Sequence, residues 1–158
     1  MILVGIGEIV ISNKPGETIK TMALGSCVGI VMLSKKKNVV AMAHVALPDS
    51  SINHNLRNNI PGYFADQAVP NLLKELKRFG VSTFDITVKL IGGSSIMDPV
   101  GIFNIGKRNV LTIRKLLWNS RLGATVEDVG GNYSRTLWVE IDTGKVFISS
   151  PKRGKWEL

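Results

Sequence analysis

Two largely apolar stretches that lie close together in the chain, residues 28–33 and 39–47, constrain the fold most strongly. Residues 28–33 carry no charged or polar side chain, which is typical of a strand buried on both faces. The lysine-rich segment 34–38 predicts a hairpin loop with a solvated tip, and Pro48 ends the returning strand. The sequence therefore predicts an antiparallel pair of strands, the first of them covered on both sides.

The other strand signals are weaker but numerous. Segments rich in β-branched and apolar residues predict strands, and turn residues such as Pro15, Gly16 and Gly144 separate several of them. The basic tail at residues 151–155 is expected to be mobile. The further predicted strands are residues 2–11, 18–24, 84–91, 124–129, 136–141 and 145–149.

Two segments have the periodicity of an amphipathic helix. Residues 63–79 repeat apolar side chains at spacings of three and four, and Gly80 follows as a stop. Pro70 lies inside this segment, so either the helix kinks there or its regular part begins near Val69. The second helix is predicted over residues 104–121, with Asn104 as its N-cap. Its charged side chains are all basic, which indicates either a docking surface or a solvated outer face.

Many strands with two main helices predict an α/β fold of the α+β type. We expect a layered sandwich with a mixed, mostly antiparallel sheet, formed as one domain by residues 1–158. A hydrophobic content of 44% and a charged content of 20% are typical of a globular chain. A single cysteine cannot form an internal disulfide, and no apolar run is long enough to cross a membrane. These features predict a cytoplasmic protein without membrane insertion.

The formal charge of +8 indicates an acidic partner, which could be nucleic acid, anionic lipid or a glutamate-rich protein surface. The chain has no zinc finger, helix-turn-helix or RNA-reading aromatic motif, and its aromatic content is only 6%. A protein partner is therefore expected, and nucleic-acid binding is not.

The only cysteine, Cys27, follows Gly25 and Ser26 at a break between two predicted strands, and His44 lies on the returning strand. A thiol becomes a strong nucleophile at neutral pH when a base is near, and an imidazole supplies one. Thr21 adds a hydroxyl that would orient the imidazole. Gly25 and Ser26 let the backbone turn and direct N–H groups at a substrate oxygen.

This pattern predicts a reactive pair whose thiol pKa is lower than that of a free cysteine, with faster alkylation at pH 6. The alternative interpretation is a small buried cysteine beside a structural histidine and an ordinary strand threonine. The other histidine, His54, lies in a polar loop and is expected to have no role.

The segment around this pair resembles the CheD family of bacterial chemoreceptor glutamine deamidases. The resemblance is most specific in the Gly-Ser-Cys and Ala-His segments, and it continues through nearly the whole chain in the family's order. It rests on Leu24-Gly25-Ser26-Cys27-Val28, Ala41-Met42-Ala43-His44-Val45, Leu47-Pro48-Asp49-Ser50, Tyr63, Ala65, Asp66, Ala68-Val69, Gly92-Gly93, residues 104–109, Glu127-Asp128, residues 130–132 and Arg135.

The resemblance implies a papain-like triad on a sandwich similar to bacterial deamidating toxins, with Cys27 as nucleophile, His44 as base and Thr21 as third member. The implied reaction converts glutamine side chains on the cytoplasmic helices of methyl-accepting chemoreceptors to glutamate through a cysteine thioester, which tunes adaptation in chemotaxis. No metal and no cofactor are implied.

The resemblance also implies a second partner, a CheC-type phosphatase that competes with the receptor. The segment expected to bind partners contains Gly92, Gly93, Ser94, Ser95 and Met97; the family usually has alanine and phenylalanine where this chain has Ser94 and Met97. A non-catalytic module that regulates the phosphatase or the receptor by binding is the alternative to an enzyme.

Overall fold

Two five-stranded sheets stack face to face, and two α-helices cover the other face of one of them, in a computed structural model that describes residues 1–52, 60–96, 98 and 100–158. His54 and Met97 lie outside the described residues. The strands are β1 (Ile2–Leu3), β2 (Ile9–Ser12), β3 (Thr18–Leu24), β4 (Val28–Ser34), β5 (Val39–Val45), β6 (Thr87–Gly92), β7 (Val126–Val129), β8 (Arg135–Glu140), β9 (Val146–Ser150) and β10 (Gly154–Glu157), and the helices are α1 (Ala65–Arg78) and α2 (Ile105–Asn119).

The sheet that touches the helices, here the central sheet, has the strand order β2-β5-β4-β6-β7. The second sheet, here the outer sheet, has the order β1-β3-β8-β9-β10. The pairs β1–β3 and β6–β7 are parallel, and the other pairs are antiparallel. The predicted class, a layered α+β sandwich with mixed and mostly antiparallel pairing, is confirmed, with two sheets where the sequence predicted one.

The hairpin β4–β5 lies at the middle of the central sheet, and every residue of both strands is buried. Because side chains alternate along a strand, each strand supplies two layers of core. Ile30 and Ala43 pack among the helices in the helix layer, while Val31 and Met42 pack against the outer sheet in the inter-sheet layer. The predicted burial on both faces is confirmed.

The single N-terminal strand predicted over residues 2–11 is wrong. Its first part, β1, pairs with β3 in the outer sheet, whereas β2 pairs with β5 in the central sheet. Between them Gly7 has a φ of 82°, and the backbone N–H of Gly5 donates to the Glu8 carboxylate at 2.7 Å. A left-handed φ at glycine costs little, so the chain turns here and crosses from one sheet to the other.

The helix α1 begins at Ala65 and contains Pro70, so the alternative start near Val69 is wrong. Asn104 occupies the N-cap position of α2 in a left-handed conformation, but its side chain makes no capping bond. None of the helices in the described part of the chain has the length and apolar composition that crossing a bilayer requires.

The C-terminal tail is ordered, which contradicts the expected mobility of residues 151–155. The strand β10 pairs antiparallel with β9, and Trp156 packs at the border of the inter-sheet layer. The indole Nε1–H of Trp156 donates to the Asp128 carboxylate at 2.8 Å. A strand partner and an aromatic anchor hold this tail, and neither is visible in its basic composition.

Candidate functional site

The three residues predicted to form a triad lie on, or directly before, three strands at one end of the inter-sheet layer. Thr21 lies on β3 of the outer sheet, His44 on β5 of the central sheet, and Cys27 directly before β4. The β4–β5 ladder pairs Gly29 with His44. Cys27 lies two residues before Gly29, and this register therefore makes it a diagonal neighbour of His44 on the same face.

An irregularity in β3 helps to direct Thr21 into this layer. The pairing of β3 with β8 shifts between Thr21 and Leu24, and both of these residues are buried. The two residues between them, Met22 and Ala23, are exposed, and Ala23 has a φ of 57°. Such a bulge changes the alternation of the strand, so two residues three positions apart both face the interior.

The hydrogen bonds of Thr21 determine which nitrogen of His44 carries its proton. The Thr21 hydroxyl donates its only hydrogen to the backbone carbonyl of Val4 at 2.7 Å, and its oxygen lies 2.7 Å from His44 Nδ1. Since the hydroxyl has no second hydrogen, Nδ1–H is the donor of this second bond. Nε2 of the neutral ring is then left with a free lone pair.

Burial favours the neutral form of this imidazole. The His44 side chain is 1% exposed, and Nε2 has no hydrogen-bond partner among the described residues. Desolvation by burial lowers the pKa of His44 from 6.5 to about 4. His44 is therefore an unprotonated base at neutral pH.

The thiol of Cys27 is also neutral at rest. Cys27 is half-buried and packs against the inter-sheet layer. Burial raises the pKa of Cys27, and the opposing effect of its own backbone N–H is smaller. The predicted lowering of the thiol pKa is therefore wrong, because desolvation disfavours the thiolate; the same effect disfavours the imidazolium of His44. With this raised pKa, we expect Cys27 to be alkylated more slowly at pH 6 than a free cysteine.

The backbone around Cys27 is held by its carbonyl groups. The Gly93 N–H donates to the Cys27 carbonyl and the Ser94 N–H donates to the Gly25 carbonyl, each at 2.8 Å. The backbone of Gly92 approaches the Cys27 carbonyl so closely that a side chain does not fit between them. A Cβ at Gly92, where φ is 114°, would lie 2.3 Å from the Cys27 oxygen. The predicted segments 25–27 and 92–94 are thus brought together, with the second supporting the first.

The third carbonyl of this loop is bound by Asn109 on α2, a residue that belongs to the resembling segment 104–109 but that was given no role in the site. Its Nδ2 donates to the Ser26 carbonyl at 3.0 Å and to the Ala46 carbonyl at 3.1 Å. Asn109 is polar and yet fully buried, because it lies on the apolar face of α2, four residues before Ile113. A polar residue within a buried helical stripe is the sequence signal that would have identified it.

A buried arginine supports the same region from the other side. Arg135 is 2% exposed; its Nε donates to the Asp128 carboxylate at 2.9 Å, and its Nη1 donates to the Gly130 carbonyl at 2.9 Å. The guanidinium also lies over the Tyr133 ring, 4.2 Å from its centroid. This cluster joins β7, β8 and the loop between them beside the Gly92 end of β6.

An open, mostly apolar cavity of about 490 Å³ lies beside the Cys27 loop and reaches it through Ser26. Gly93, Ser94 and Ser95 line its wall, whereas Gly92 supports the Cys27 carbonyl. Phe103, at another wall of this cavity, is 66% exposed. The remaining residue predicted to bind partners, Met97, is outside the described residues.

The described residues contain no group of three or more histidine, cysteine, aspartate and glutamate side chains arranged to hold a metal ion. Chemically, the site combines a neutral thiol, a neutral base with one free lone pair, and peptide groups held by their carbonyl oxygens. These are the groups that attack on a planar carbonyl carbon requires.

Comparison with known proteins extends these observations. A family model described as CheD chemotactic sensory transduction matches residues 46–150. A probable chemoreceptor glutamine deamidase CheD from Syntrophotalea carbinolica is 45% identical over 99% of this chain and 98% of that protein. A chemoreceptor glutamine deamidase CheD from Thermotoga maritima is 40% identical over 92% of this chain and 89% of that protein.

Among solved structures, the hypothetical protein YfiH of Bacillus licheniformis matches with a TM-score of 0.49 and 10% identity, over 77% of this chain and 49% of that one. The family model begins after Cys27 and His44, but the match to the Syntrophotalea carbinolica protein includes both positions. The likeness therefore extends across the segment that carries the site.

Proposed function

Because this chain belongs to the CheD family, as its sequence resemblance indicated, we propose that it hydrolyses glutamine side chains of chemoreceptors to glutamate and releases ammonia. The names of its relatives support the reaction class. The observation that supports the chemistry most directly is the hydrogen bond between Thr21 and His44 Nδ1, which leaves Nε2 free. In this proposal, Cys27 is the nucleophile, His44 the base and Thr21 the residue that orients the base.

The first half of the proposed reaction forms a thioester. Cys27 Sγ attacks the carboxamide carbon of the substrate while His44 Nε2 takes the thiol proton, because neither group is charged beforehand. The carbonyl π electrons move to the oxygen, and the N–H groups of Ser26 and Cys27 stabilise that oxyanion. As the carbonyl re-forms, the C–N bond breaks, His44 returns the proton to the leaving nitrogen, and ammonia departs.

The second half uses one water molecule. His44 Nε2 takes a proton from the water as its oxygen attacks the thioester carbon. The C–S bond then breaks, the sulfur regains a proton from His44, and glutamate is released. Each cycle thus consumes one amide and one water, produces one carboxylic acid and one ammonia, and returns both side chains to their neutral forms.

The proposed substrate is a glutamate-rich cytoplasmic helix of a chemoreceptor, and the proposed reaction takes place in the cytoplasm. The formal charge of +8 favours acidic surfaces of this kind, and long-range attraction between opposite charges increases the rate of encounter. The charged side chains of α2 are all basic, and Lys107 lies at the wall of the cavity beside Ser26.

A second candidate function is regulation by binding, with a CheC-type phosphatase as the proposed partner. The observation that favours it is the apolar cavity itself, because Phe103 and Leu111 at its wall remain exposed. The two functions are compatible, since the cavity is lined by Ser26 and not by Cys27. In the pure binding alternative, the thiol has no part in the activity.

Mass spectrometry of a chemoreceptor cytoplasmic fragment incubated with wild-type protein or with Cys27→Ala tests the proposal. Wild type should add about 1 Da for each converted glutamine, since an amide becomes an acid, and Cys27→Ala should add none because no thioester can form. Circular dichroism should show an unchanged fold for the variant, whose side chain only borders the core.

The same pair of proteins separates the two candidate functions. Full turnover by Cys27→Ala would exclude the proposed role of this thiol. If wild-type protein leaves the mass of the fragment unchanged, and wild type and Cys27→Ala capture equal amounts of the phosphatase, the binding function replaces the enzymatic one.

A further inference from the structure

We propose that Asn109 is a positioning residue of the deamidation site, which holds the Ser26–Cys27 peptide so that its N–H faces the substrate oxygen. This inference rests on the proposed function and extends it to a residue on a different element, the helix α2. Asn109 touches no reacting atom in this proposal. It acts through the backbone that carries the nucleophile.

The contact of Asn109 with the Ser26 carbonyl defines the orientation of the next N–H group. The Ser26 carbonyl and the Cys27 N–H belong to one peptide unit, which is planar and trans, so the two groups point in opposite directions. Nδ2 of Asn109 binds the carbonyl at 3.0 Å from the helix side. The Cys27 N–H is therefore directed away from α2, and the hydrogen bond to its carbonyl polarises it further.

The neighbouring peptide is held in the same way by a backbone group. The Gly25 carbonyl, which shares a peptide unit with the Ser26 N–H, accepts a hydrogen bond from the Ser94 N–H at 2.8 Å. Both peptides proposed to stabilise the oxyanion are thus anchored at their carbonyl ends, one by the loop after β6 and one by Asn109. Of these two anchors, only Asn109 is a side chain that substitution can remove.

The second hydrogen of the same amide ties the nucleophile loop to the strand of the base. Nδ2 also donates at 3.1 Å to the carbonyl of Ala46, two residues after His44. Two carbonyl oxygens on one nitrogen can be satisfied only by an NH₂ group, so the orientation of the amide is defined. This bridge links the loop that carries Cys27 to the end of the strand that carries His44, and it therefore helps to fix the position of Cys27 relative to His44.

The remaining oxygen of Asn109 argues against a role in stability alone. Oδ1 is buried without a hydrogen-bond partner among the described residues, which is unfavourable in a protein interior. An apolar side chain of similar size would avoid this cost on the apolar face of α2. It would leave the Ser26 and Ala46 carbonyls without their donor.

The test compares Asn109→Ala and Asn109→Leu with wild type, and uses Ile113→Ala as a matched control. Ile113 is fully buried on the same face of α2 and belongs to the helix layer, so its truncation destabilises the helix packing without removing this amide. Asn109→Leu keeps the volume filled and removes the unpaired Oδ1, so we expect it to fold. It therefore keeps the test valid if Asn109→Ala does not fold. All proteins are assayed well below their melting temperatures.

Two rates are measured on each protein: deamidation of the receptor fragment, and alkylation of Cys27 by iodoacetamide. Alkylation needs the thiol but forms no oxyanion, so it reports the thiol separately from the peptide groups. We expect kcat for deamidation to fall about 100-fold in both Asn109 variants, as when an oxyanion-hole donor is lost, with KM nearly unchanged. Alkylation should stay within about threefold of wild type, and Ile113→Ala should keep both rates.

Two results would overturn this inference. One is a kcat in both Asn109 variants equal to that of Ile113→Ala. The other is an equal loss of deamidation and alkylation, which would make Asn109 a support of the whole loop. Both results differ from failure of the proposed function, in which wild type would be inactive or Cys27→Ala would remain active.

Discussion

The two core layers on either side of the central sheet end differently at the edge where Cys27 lies. The inter-sheet layer ends in Thr21 and His44, whose side chains bind each other across the two sheets. The helix layer ends in Asn109, whose amide binds the backbone carbonyls of Ser26 and Ala46. One layer therefore ends in a hydrogen-bonded pair of side chains, and the other ends in a side-chain amide that binds backbone carbonyls.

The difference follows from the alternation of side chains along a single strand. On β5, the side chains that face the helices are Ala41, Ala43 and Val45. The side chains that face the outer sheet are Val40, Met42 and, at the last position on this face, His44. Aliphatic packing stabilises both layers over most of their extent. Within β5, His44 is the only titratable residue, and it occupies the last position on the inter-sheet face. The unpaired Nε2 of His44 costs about 1–3 kcal/mol of stability.

The largest effect is expected from His44→Gln, which tests whether the end of the inter-sheet layer serves chemistry. Removing the base should lower kcat for deamidation by about 10³-fold, within the range that general bases contribute. Turnover of the receptor fragment by mass spectrometry measures it, with Met42→Leu on the same face as the control. Turnover near that of wild type would remove His44 from the proposed mechanism.

The opposite substitution, Leu72→Ala in the helix layer, should affect stability and leave the chemistry intact. Leu72 lies on α1 and is fully buried, so its truncation should cost about 2–5 kcal/mol of unfolding free energy. Urea denaturation measures this loss, while kcat per folded molecule should stay within about twofold of wild type. A large fall in kcat at full folding would show that aliphatic packing in the helix layer also contributes to catalysis, beyond the effect proposed for Asn109.

The smallest effect concerns acid stability. The pKa of His44 is about 4 in the folded chain and 6.5 in the unfolded chain, so the unfolded state binds more protons between these pH values. Wild type should therefore lose about 3 kcal/mol of stability from this group as pH falls from 6.5 to 4. His44→Gln should lack this component when the two proteins are unfolded in urea across that range; equal pH dependence would contradict the buried neutral imidazole.

Much of the architecture could be predicted, because strands and helices leave short-range patterns. The unbroken apolar character of residues 28–33 predicted the burial of β4 on both faces, and the periodicity of residues 104–121 predicted α2. The division of the N-terminal strand between two sheets could not be predicted, since a local pattern does not state which sheet a strand joins. The docked tail was missed for the same reason, because Trp156 is held by the distant Asp128.

The candidate site divides in the same way. Cys27, His44 and Thr21 could be selected as a set because their chemistry is intrinsic to the residue types and a resemblance supported it. The pKa of the Cys27 thiol was predicted in the wrong direction, since a pKa depends on desolvation, which is a property of the folded surroundings. Asn109 lies in the resembling segment 104–109 but was given no role in the site, because the function of an asparagine on a helix depends on hydrogen-bond partners that the sequence does not show.

By itself, the sequence determined which side chains suit the proposed reaction, where most strands and helices run, and the basic charge that favours acidic partners. Only the tertiary structure decided how these groups are arranged and protonated: Thr21 leaves Nε2 free, burial keeps the thiol and the imidazole neutral, and an amide 83 positions from Ser26 holds its carbonyl. The physical reason is range. Propensity and periodicity act over a few neighbouring residues, whereas desolvation and hydrogen bonding depend on every element packed around an atom.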